Sequence, residues 1–500
     1  MNLMSFLESA AMRFPNKTAL ICAGDRVTYR RLKALAAQYA AIFLSHGLGK
    51  GSRVAILANS SVQYIAALFG MIKIGAVCIP LNTRLTASEL RLLLSHCLPA
   101  ALLYDQTSEH LIPELELLPP ITLCLERAHR ENASAGAQAL TSNWDDTAII
   151  LYTAGTTGTP KGVVLTHGNL LWNTLNYTAA YCMQPEDIEL APTPLFHAAT
   201  LGRVFTYVFN AATFILCPRF DAHECLALIE QEQVTSITQV PTMYRQLHEA
   251  AQRGCYALQS VKRVVTGAAP MNATTKQQLA ELFPAAALYD LYGLTEASPG
   301  VTIAGPETFH AKPGSVGRPM LTVRIGIVDD QDTPVGHETV GEIVCRGPNI
   351  MQGYYRDPEA TAAALRGGWL HTGDKGFIDR DGCLHIIARK KEIIISGGVN
   401  IYPGEIEQVL CQHPDIVDAA VVGIPDERWG ERVVAAVVVR SGTTITHDDI
   451  LRQCRQHLAG FKCPKEIFFL DTLPRNAAQK LLRHEVVQHI ERMRSANFSP

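Results

Sequence analysis

Residues 152–163 read Tyr-Thr-Ala-Gly-Thr-Thr-Gly-Thr-Pro-Lys-Gly-Val. The stretch follows the apolar run Ala148-Ile149-Ile150-Leu151, which reads as a buried strand. Such a loop suits a polyphosphate. Glycines lack a Cβ and tolerate positive φ, so main-chain N–H groups can come close to phosphate oxygens. Threonine hydroxyls add donors, and Lys161 adds one positive charge. The spacing is not that of a Walker A loop, which ends in Gly-Lys-Ser/Thr. Here Pro160 stands directly before the lysine. The loop therefore points to a nucleotide but not to the P-loop fold. The competing reading is a plain turn between a strand and a helix, since Gly, Thr and Pro punctuate turns generally.

A chain of 500 residues is too long for one ordinary core and fits two or three domains. It is 47% hydrophobic and 18% charged, the composition of a soluble globular protein. The 44 basic and 47 acidic residues leave a net charge of −3, with no basic stripe for nucleic acid and no charged tail. The 13 cysteines show no Cys-x-x-Cys pair and no zinc-like spacing. They read as reduced thiols, which points to the cytoplasm. Cys22, Cys78 and Cys217 sit in apolar surroundings and read as core packing. The start, Met1-Asn2-Leu3-Met4, has neither the basic region nor the apolar stretch of a signal peptide, and the end, Asn497-Phe498-Ser499-Pro500, is no peroxisomal tripeptide. The most apolar window, Val62 to Pro80, is broken by Gln63, Gly70, Lys73 and Gly75. A membrane span needs about 20 apolar residues, so this window reads as a helix followed by a buried strand.

Leu32, Leu35, Ala36, Tyr39, Ala40, Phe43 and Leu44 form one helical face over 29–46, stopped at Gly47. Strands are expected at 53–58, 100–105, 147–151, 212–217, 234–240, 262–266 and 286–291, with helices between many of them, as at 61–73 and 274–283. That alternation implies parallel sheets covered on both faces. Residues 126–144 are polar and irregular and read as a surface loop. From about residue 313 the texture changes to short strands with Gly and Pro turns, as at 323–328 and 341–345, which suggests a small antiparallel or barrel-like subdomain. Beyond Arg389-Lys390-Lys391 lies a compact α+β pattern: helix 403–412, strands 417–423 and 431–440, helix 447–458, strand 466–470. About a hundred residues can form their own core.

The loop at 152–163 resembles the phosphate-binding loop of the adenylate-forming superfamily, which includes acyl-CoA synthetases, peptide-synthetase adenylation domains and luciferases. Further matches follow in the family's order. They are Tyr292-Gly293-Leu294-Thr295-Glu296, Gly341-Glu342-Ile343, Gly353-Tyr354-Tyr355, Trp369-Leu370-His371-Thr372-Gly373-Asp374, Arg389-Lys390-Lys391-Glu392, Ser396-Gly397-Gly398 and Leu473-Pro474-Arg475. The resemblance covers nearly the whole chain. It implies an α/β protein with a large N-terminal domain of doubly wound sheets plus a barrel-like subdomain (1–389), and a small mobile α+β domain (390–500).

The resemblance also implies a reaction. A carboxylate attacks the α-phosphate of ATP with Mg²⁺ present, giving acyl-AMP and pyrophosphate. The thiol of coenzyme A then attacks the acyl carbon. Both steps need charge neutralisation and in-line positioning more than covalent help. By position, Thr156, Thr157, Gly158 and Lys161 resemble β,γ-phosphate contacts, with Thr153 and Gly155 in the same ATP-binding loop. Ala154 stands where the family usually has serine. Glu296 resembles the magnesium carboxylate and Thr295 the α-phosphate ligand. One glutamate is enough, because Mg²⁺ keeps water and takes oxygens from substrate phosphates. Tyr292 and Gly293 are expected at adenine, with Gly267-Ala268-Ala269-Pro270 on its other side and Asp290 accepting from the amino group. Asp374 resembles the ribose-binding aspartate and Arg389 the second ribose contact, with Ala388 in place of the usual glycine. The bland readings are a surface glutamate, a core tyrosine and a turn aspartate.

Lys391 falls at the hinge position, while Lys390 reads as a solvated lysine. Gly397 and Gly398 resemble a loop that lines the pantetheine tunnel, and Val399 stands where many members have glutamate. Lys480 aligns with the lysine that bridges carboxylate and phosphate, although Gln479 replaces the usual glycine. His197, in Pro194-Leu195-Phe196-His197, matches the acyl-CoA synthetase form of that motif and is expected beside the acyl pocket. No aspartate nearby offers to hold an ammonium, which argues against an α-amino acid. Leu195, Phe196, Leu201, Val204, Phe205, Tyr207 and Phe209 suggest an apolar acid, fatty or aryl, with Arg203 read as snorkelling or pairing at the surface, or else as a bidentate clamp on a second carboxylate of the acid. Two alternatives share these motifs: an enzyme that loads a carrier-protein phosphopantetheine arm, and a nucleotide-binding paralogue without catalysis.

Overall fold

The computed structural model describes residues 2–116, 118–128, 142–153, 161–269, 271, 273–389, 392–396, 399–426, 429–476 and 481–497. Each strand and helix expected from the periodicity is present, with ends displaced by one to a few residues. Thr28 and Ser61 cap the helices Tyr29–Ser45 and Val62–Ile74, their side chains accepting from the N–H groups of Arg31 and Tyr64. The second of these helices is buried on nearly every side, and strand Val77–Pro80 follows it.

Two large sheets form the body. One has seven strands in the spatial order Gly353–Tyr354, Lys161–Thr166, Thr147–Thr153, Val77–Pro80, Arg53–Leu57, Ala101–Tyr104, Ile121–Cys124. The other has nine: Arg318–Pro319, Gly300–Ala304, Ala287–Gly293, Arg263–Gly267, Ser236–Gln239, Ile188–Ala191, Thr213–Leu216, Thr18–Cys22, Asp25–Thr28. The helices Tyr29–Ser45, Val62–Ile74 and Ala198–Phe209 share one core with Val54 and Ile56 of the first sheet and Leu20 and Phe214 of the second. The sheets are not parallel throughout. Both margins of the nine-stranded sheet are antiparallel, as is one margin of the seven-stranded sheet. The expected parallel pairing therefore holds except at those margins. A short helix, Leu125–Ala128, likewise opens the segment expected to be an irregular loop.

Residues 324–389 build a four-stranded antiparallel sheet from Arg324–Val328, Gly341–Arg346, Leu370–Ile378 and Leu384–Arg389. The C-terminal part pairs Ile416–Asp426, Gly430–Val439 and Glu466–Phe469 with the hairpin Ile394–Ser396/Val399–Ile401. It has cores of its own, around Ile406, Val421 and Ile450 on one face and Val422, Val434 and Ile490 on the other. The thirteen cysteines form no disulfide, and Cys22, Cys78 and Cys217 are buried. Among the described residues no helix is long and apolar enough to cross a membrane.

Candidate functional site

The loop that opened the reading joins two antiparallel strands, not a strand and a helix. Thr153 and Lys161 are Cα partners across the hairpin, so the ends of the loop are held together by the sheet. Ala154, Gly155, Thr156, Thr157 and Gly158 lie outside the described residues. Lys161 is fixed at the mouth, its ammonium 4.9 Å from the centroid of the Tyr354 ring. The Tyr354 hydroxyl donates to Glu296 Oε1 at 2.9 Å. Glu296 belongs to a helical turn, Thr295–Ala297, whose main chain is tied down by the Met351 N–H donating to the Glu296 carbonyl at 2.8 Å. Lys161, Tyr354 and Glu296 thus come together from three distant segments.

A second group forms where parallel strands of the nine-stranded sheet end, the usual place for a ligand in an α/β fold. Gly267 and Gly293 end adjacent strands, and Ala268, in the left-handed region at φ 65°, is exposed beside Ala269. Gly293 is obligatory: a Cβ there would lie 2.0 Å from the Pro299 carbonyl oxygen. The Tyr292 hydroxyl donates to Asp374 Oδ2 at 2.7 Å. Its ring is only 7% exposed, so little aromatic face is open. Arg389 Nε lies 3.4 Å from Asp374 Oδ1, the two residues being cross-strand partners. Gly373, at φ 73°, turns the chain so that its N–H reaches Glu342 Oε1 at 3.2 Å. Thr372 Oγ donates to the Ile343 carbonyl and accepts from the Asp374 N–H. The aspartate is held from both sides.

Asp290 is 8% exposed. Burial pushes its carboxyl up to about 7, against a smaller downward pull from the Lys276 ammonium. The Lys276 Nζ is itself buried without a hydrogen-bond partner and stands 4.6 Å from the centroid of the Phe309 ring. Because the folded value lies above the unfolded one, the folded state holds its proton longer. This group's contribution to stability is therefore fullest at low pH and is lost as pH rises toward about 7. Asp290→Asn is expected to raise the melting temperature more at about pH 8 than at about pH 5. A melting-temperature gain that is the same at both pH values would refute the shift.

His197 stands immediately before the helix Ala198–Phe209, its ring 4.5 Å from that of Phe196. Burial pushes its imidazole down to about 4, and Arg84 acts in the same direction, so the ring is neutral at physiological pH. Two expectations about this helix are corrected. Leu201, Val204, Phe205 and Tyr207 face the central core, with Phe205 edge-on to Phe69, so their apolar character reflects packing between two sheets and not an acyl pocket. Arg203 neither snorkels nor pairs at the surface. It is 4% exposed, in an ion pair with the fully buried Glu189, whose other oxygen accepts from the Tyr207 hydroxyl at 2.7 Å. Gln239, at the C-terminal end of its strand, is 3% exposed, and neither atom of its amide has a protein partner. The Thr266 hydroxyl, on the neighbouring strand at the same register, also lacks one.

Lys390, Lys391, Gly397, Gly398, Gln479 and Lys480 lie outside the described residues. Their flanks are ordered: Ser396 pairs with Val399, and Arg475 with Leu481. Arg475 binds Asp418 at 2.6 Å, and Arg245, on the helix Pro241–Ala251 of the large body, approaches the same carboxylate at 3.6 Å. Among the described residues no three His, Cys, Asp or Glu side chains gather as a metal cluster. A magnesium site here would need a single carboxylate completed by water and phosphate, which Glu296 fits: its second oxygen has no hydrogen-bond donor among the described residues. The residues missed in the sequence are Tyr354, Glu342 and Thr372. All three lie in motifs already noted, but nothing in their spacing says what they touch.

Two family models match the chain: "AMP-binding enzyme" over residues 7–355 and "AMP-binding enzyme C-terminal domain" over 405–480. A feruloyl-CoA synthase of Amycolatopsis sp is 37% identical over 94% of this chain and 96% of its own. An indoleacetate–CoA ligase of Aromatoleum aromaticum is 35% identical over 98% and 99%. Among solved structures, the o-succinylbenzoate CoA synthetase of Bacillus subtilis in complex with its acyl-adenylate intermediate superposes with a TM-score of 0.89, at 32% identity, covering 96% of this chain and 97% of that one. The same synthetase in complex with ATP and magnesium ion gives 0.87 at 31% identity, covering 96% and 98%.

Proposed function

The chain belongs to the AMP-binding enzyme family, and from that membership we propose an AMP-forming acid–thiol ligase acting on an aryl acid. The enzyme joins a carboxylic acid to coenzyme A in two steps. The carboxylate attacks the α-phosphate of ATP, forming the acyl–phosphate bond as pyrophosphate leaves. The thiol of coenzyme A then attacks the acyl carbon, and AMP leaves. The observation that carries the reading is the pairing of Asp374 with Tyr292 and Arg389, together with the separate grouping of Lys161, Tyr354 and Glu296. The first group suits a nucleoside and the second a polyphosphate.

In this reading Asp374 accepts both ribose hydroxyls, Arg389 supports it, and Asp290 accepts from the adenine amino group. Gly267, Ala268, Ala269 and Gly293 leave room for the base. Lys161 neutralises the β- and γ-phosphates together with Thr153, Gly155, Thr156, Thr157 and Gly158, and Thr295 donates to the α-phosphate. Glu296 would hold Mg²⁺, which supplies further neutralisation of the phosphates when bound. Lys480 serves adenylation, and Gly397 and Gly398 serve thioester formation. The change of arrangement turns on Lys391, between domains spanning 1–389 and 390–500. Neutral His197 lies beside the acid without carrying charge. Thirteen cysteines without a disulfide support a cytoplasmic setting.

The buried, unpartnered Gln239 amide refines the acid. We infer that this amide, whose two polar atoms have no protein partner, meets a polar substituent on the acid. The feruloyl, indoleacetyl and succinylbenzoyl groups in the relatives' names all carry an aromatic ring. Gln239→Leu is expected to shift preference from hydroxylated toward unsubstituted aryl acids by about 10–100-fold in kcat/KM. An unchanged ratio would place Gln239 away from the acid. The reading as a whole is tested with a panel of aryl and fatty acids, scored for AMP formation with and without free coenzyme A. Acid-dependent pyrophosphate release without turnover of free coenzyme A would point to a carrier-protein acceptor.

A further inference from the structure

Tyr354 touches both groups that the preceding reading assigns to the polyphosphate. Its strand, Gly353–Tyr354, pairs with Lys161–Thr166, Tyr354 facing Val163. Its N–H donates to Thr361 Oγ at 2.8 Å, and the Thr361 hydroxyl in turn donates to the Asp357 carbonyl at 2.7 Å, so the main chain cannot drift. The ring lies against the Lys161 ammonium at 4.9 Å, while the hydroxyl donates to Glu296 Oε1 at 2.9 Å. Lys161 and Glu296 carry opposite charges, yet they form no ion pair with each other. Tyr354 occupies the position between them.

We propose that Tyr354 is a positioning residue that keeps the phosphate-binding lysine and the magnesium-binding carboxylate apart and aimed at the polyphosphate. The inference rests on the ligase reading. A lysine and a glutamate left free to meet would neutralise each other and present less charge to either phosphate or metal. An aromatic ring attracts the ammonium without neutralising it, and the phenol fixes one carboxylate oxygen, leaving the other for the metal.

The test uses the full-length enzyme with two variants. Tyr354→Phe keeps the ring under Lys161 and removes the donor to Glu296, whereas Tyr354→Leu removes both contacts. Binding of ATP is read by calorimetry in the absence of acid, with Mg²⁺ and with EDTA. Acid-dependent pyrophosphate release is measured across a Mg²⁺ titration. Tyr354→Phe is expected to raise the Mg²⁺ needed for half-maximal adenylation about tenfold, the usual scale for losing a group that orients a metal ligand. Its ATP binding in EDTA should match the unmodified enzyme, and only Tyr354→Leu should weaken it. Thioester formation from synthetic acyl-AMP should be spared in both. Unchanged Mg²⁺ dependence in Tyr354→Phe, or equal slowing of both half-reactions, would overturn the proposal. If the unmodified enzyme released no pyrophosphate with any acid, the ligase reading would fall, while calorimetry would still show whether Tyr354 governs Mg²⁺·ATP binding.

Discussion

Lys480→Ala is expected to slow adenylation by about 10²–10³-fold, the scale for losing one electrostatic stabiliser of a developing charge. Negative charge gathers between the carboxylate and the α-phosphate only while acyl-AMP is being made. Once acyl-AMP exists the cation is no longer needed, so thioester formation from synthetic acyl-AMP should barely change. The reciprocal variant is Lys391→Pro. Proline holds φ near −65° and should restrict the rotation that brings Gly397 and Gly398 to the acyl carbon. Adenylation should survive and coenzyme A transfer should fail. Pyrophosphate release measures the first step, and thioester formed from supplied acyl-AMP measures the second. Adenylation left intact in Lys480→Ala would mean that Gln479 has carried this lysine out of the site and another cation serves. Equal slowing of both steps in Lys391→Pro would place the hinge elsewhere. The ion triad of Arg245, Asp418 and Arg475 joins the two parts of the chain in the arrangement seen here.

Asp374→Ala is the second large effect. A carboxylate that accepts from two vicinal hydroxyls makes two charge-assisted hydrogen bonds, and losing both corresponds to about 10²–10³-fold in kcat/KM for ATP. The variant also strips Tyr292 of its acceptor and Arg389 of its partner. Tyr292→Phe isolates that support: it leaves the carboxylate in place and should cost only about tenfold. The loss in Asp374→Ala should fall mainly on KM for ATP, with KM for the acid little altered. If the acid's KM rises as much as that of ATP, Asp374 serves the fold of the Leu370–Ile378 strand and not the nucleotide. The same two profiles, run against pH, bear on Asp290. Its carboxyl sits at about 7, so affinity for ATP should fall as pH drops below that value, and the dependence should vanish in Asp290→Asn.

The division between sequence and tertiary structure follows from what each interaction depends on. Period and punctuation are local, so the helix Tyr29–Ser45, the buried pair Val62–Ile74 and Val77–Pro80, and the strands that carry Gly267 and Asp290 could all be read in advance. The family's motifs, being short and ordered, named Lys161, Glu296, Tyr292, Asp374 and Arg389 without any coordinates. Partnership across the chain was not legible. Nothing in Gly353-Tyr354-Tyr355 says that the tyrosine will lie between residues 161 and 296, because that depends on which strand is added to the edge of the seven-stranded sheet. Nothing in the helix Ala198–Phe209 says whether its apolar face meets an acyl chain or a second sheet, since both demand the same side chains. Arg203 is the sharpest case. An arginine on an apolar helix reads as snorkelling until Glu189, on a strand beyond it, is found buried against it. The sequence by itself determined the class of fold and, through its short ordered motifs, the family and the candidate residues for ATP, because periodicity and motif order are local. The tertiary structure alone decided which charges pair, which tyrosines hold the carboxylates, and which buried polar groups are left without a partner. Those outcomes depend on surfaces brought together from distant segments.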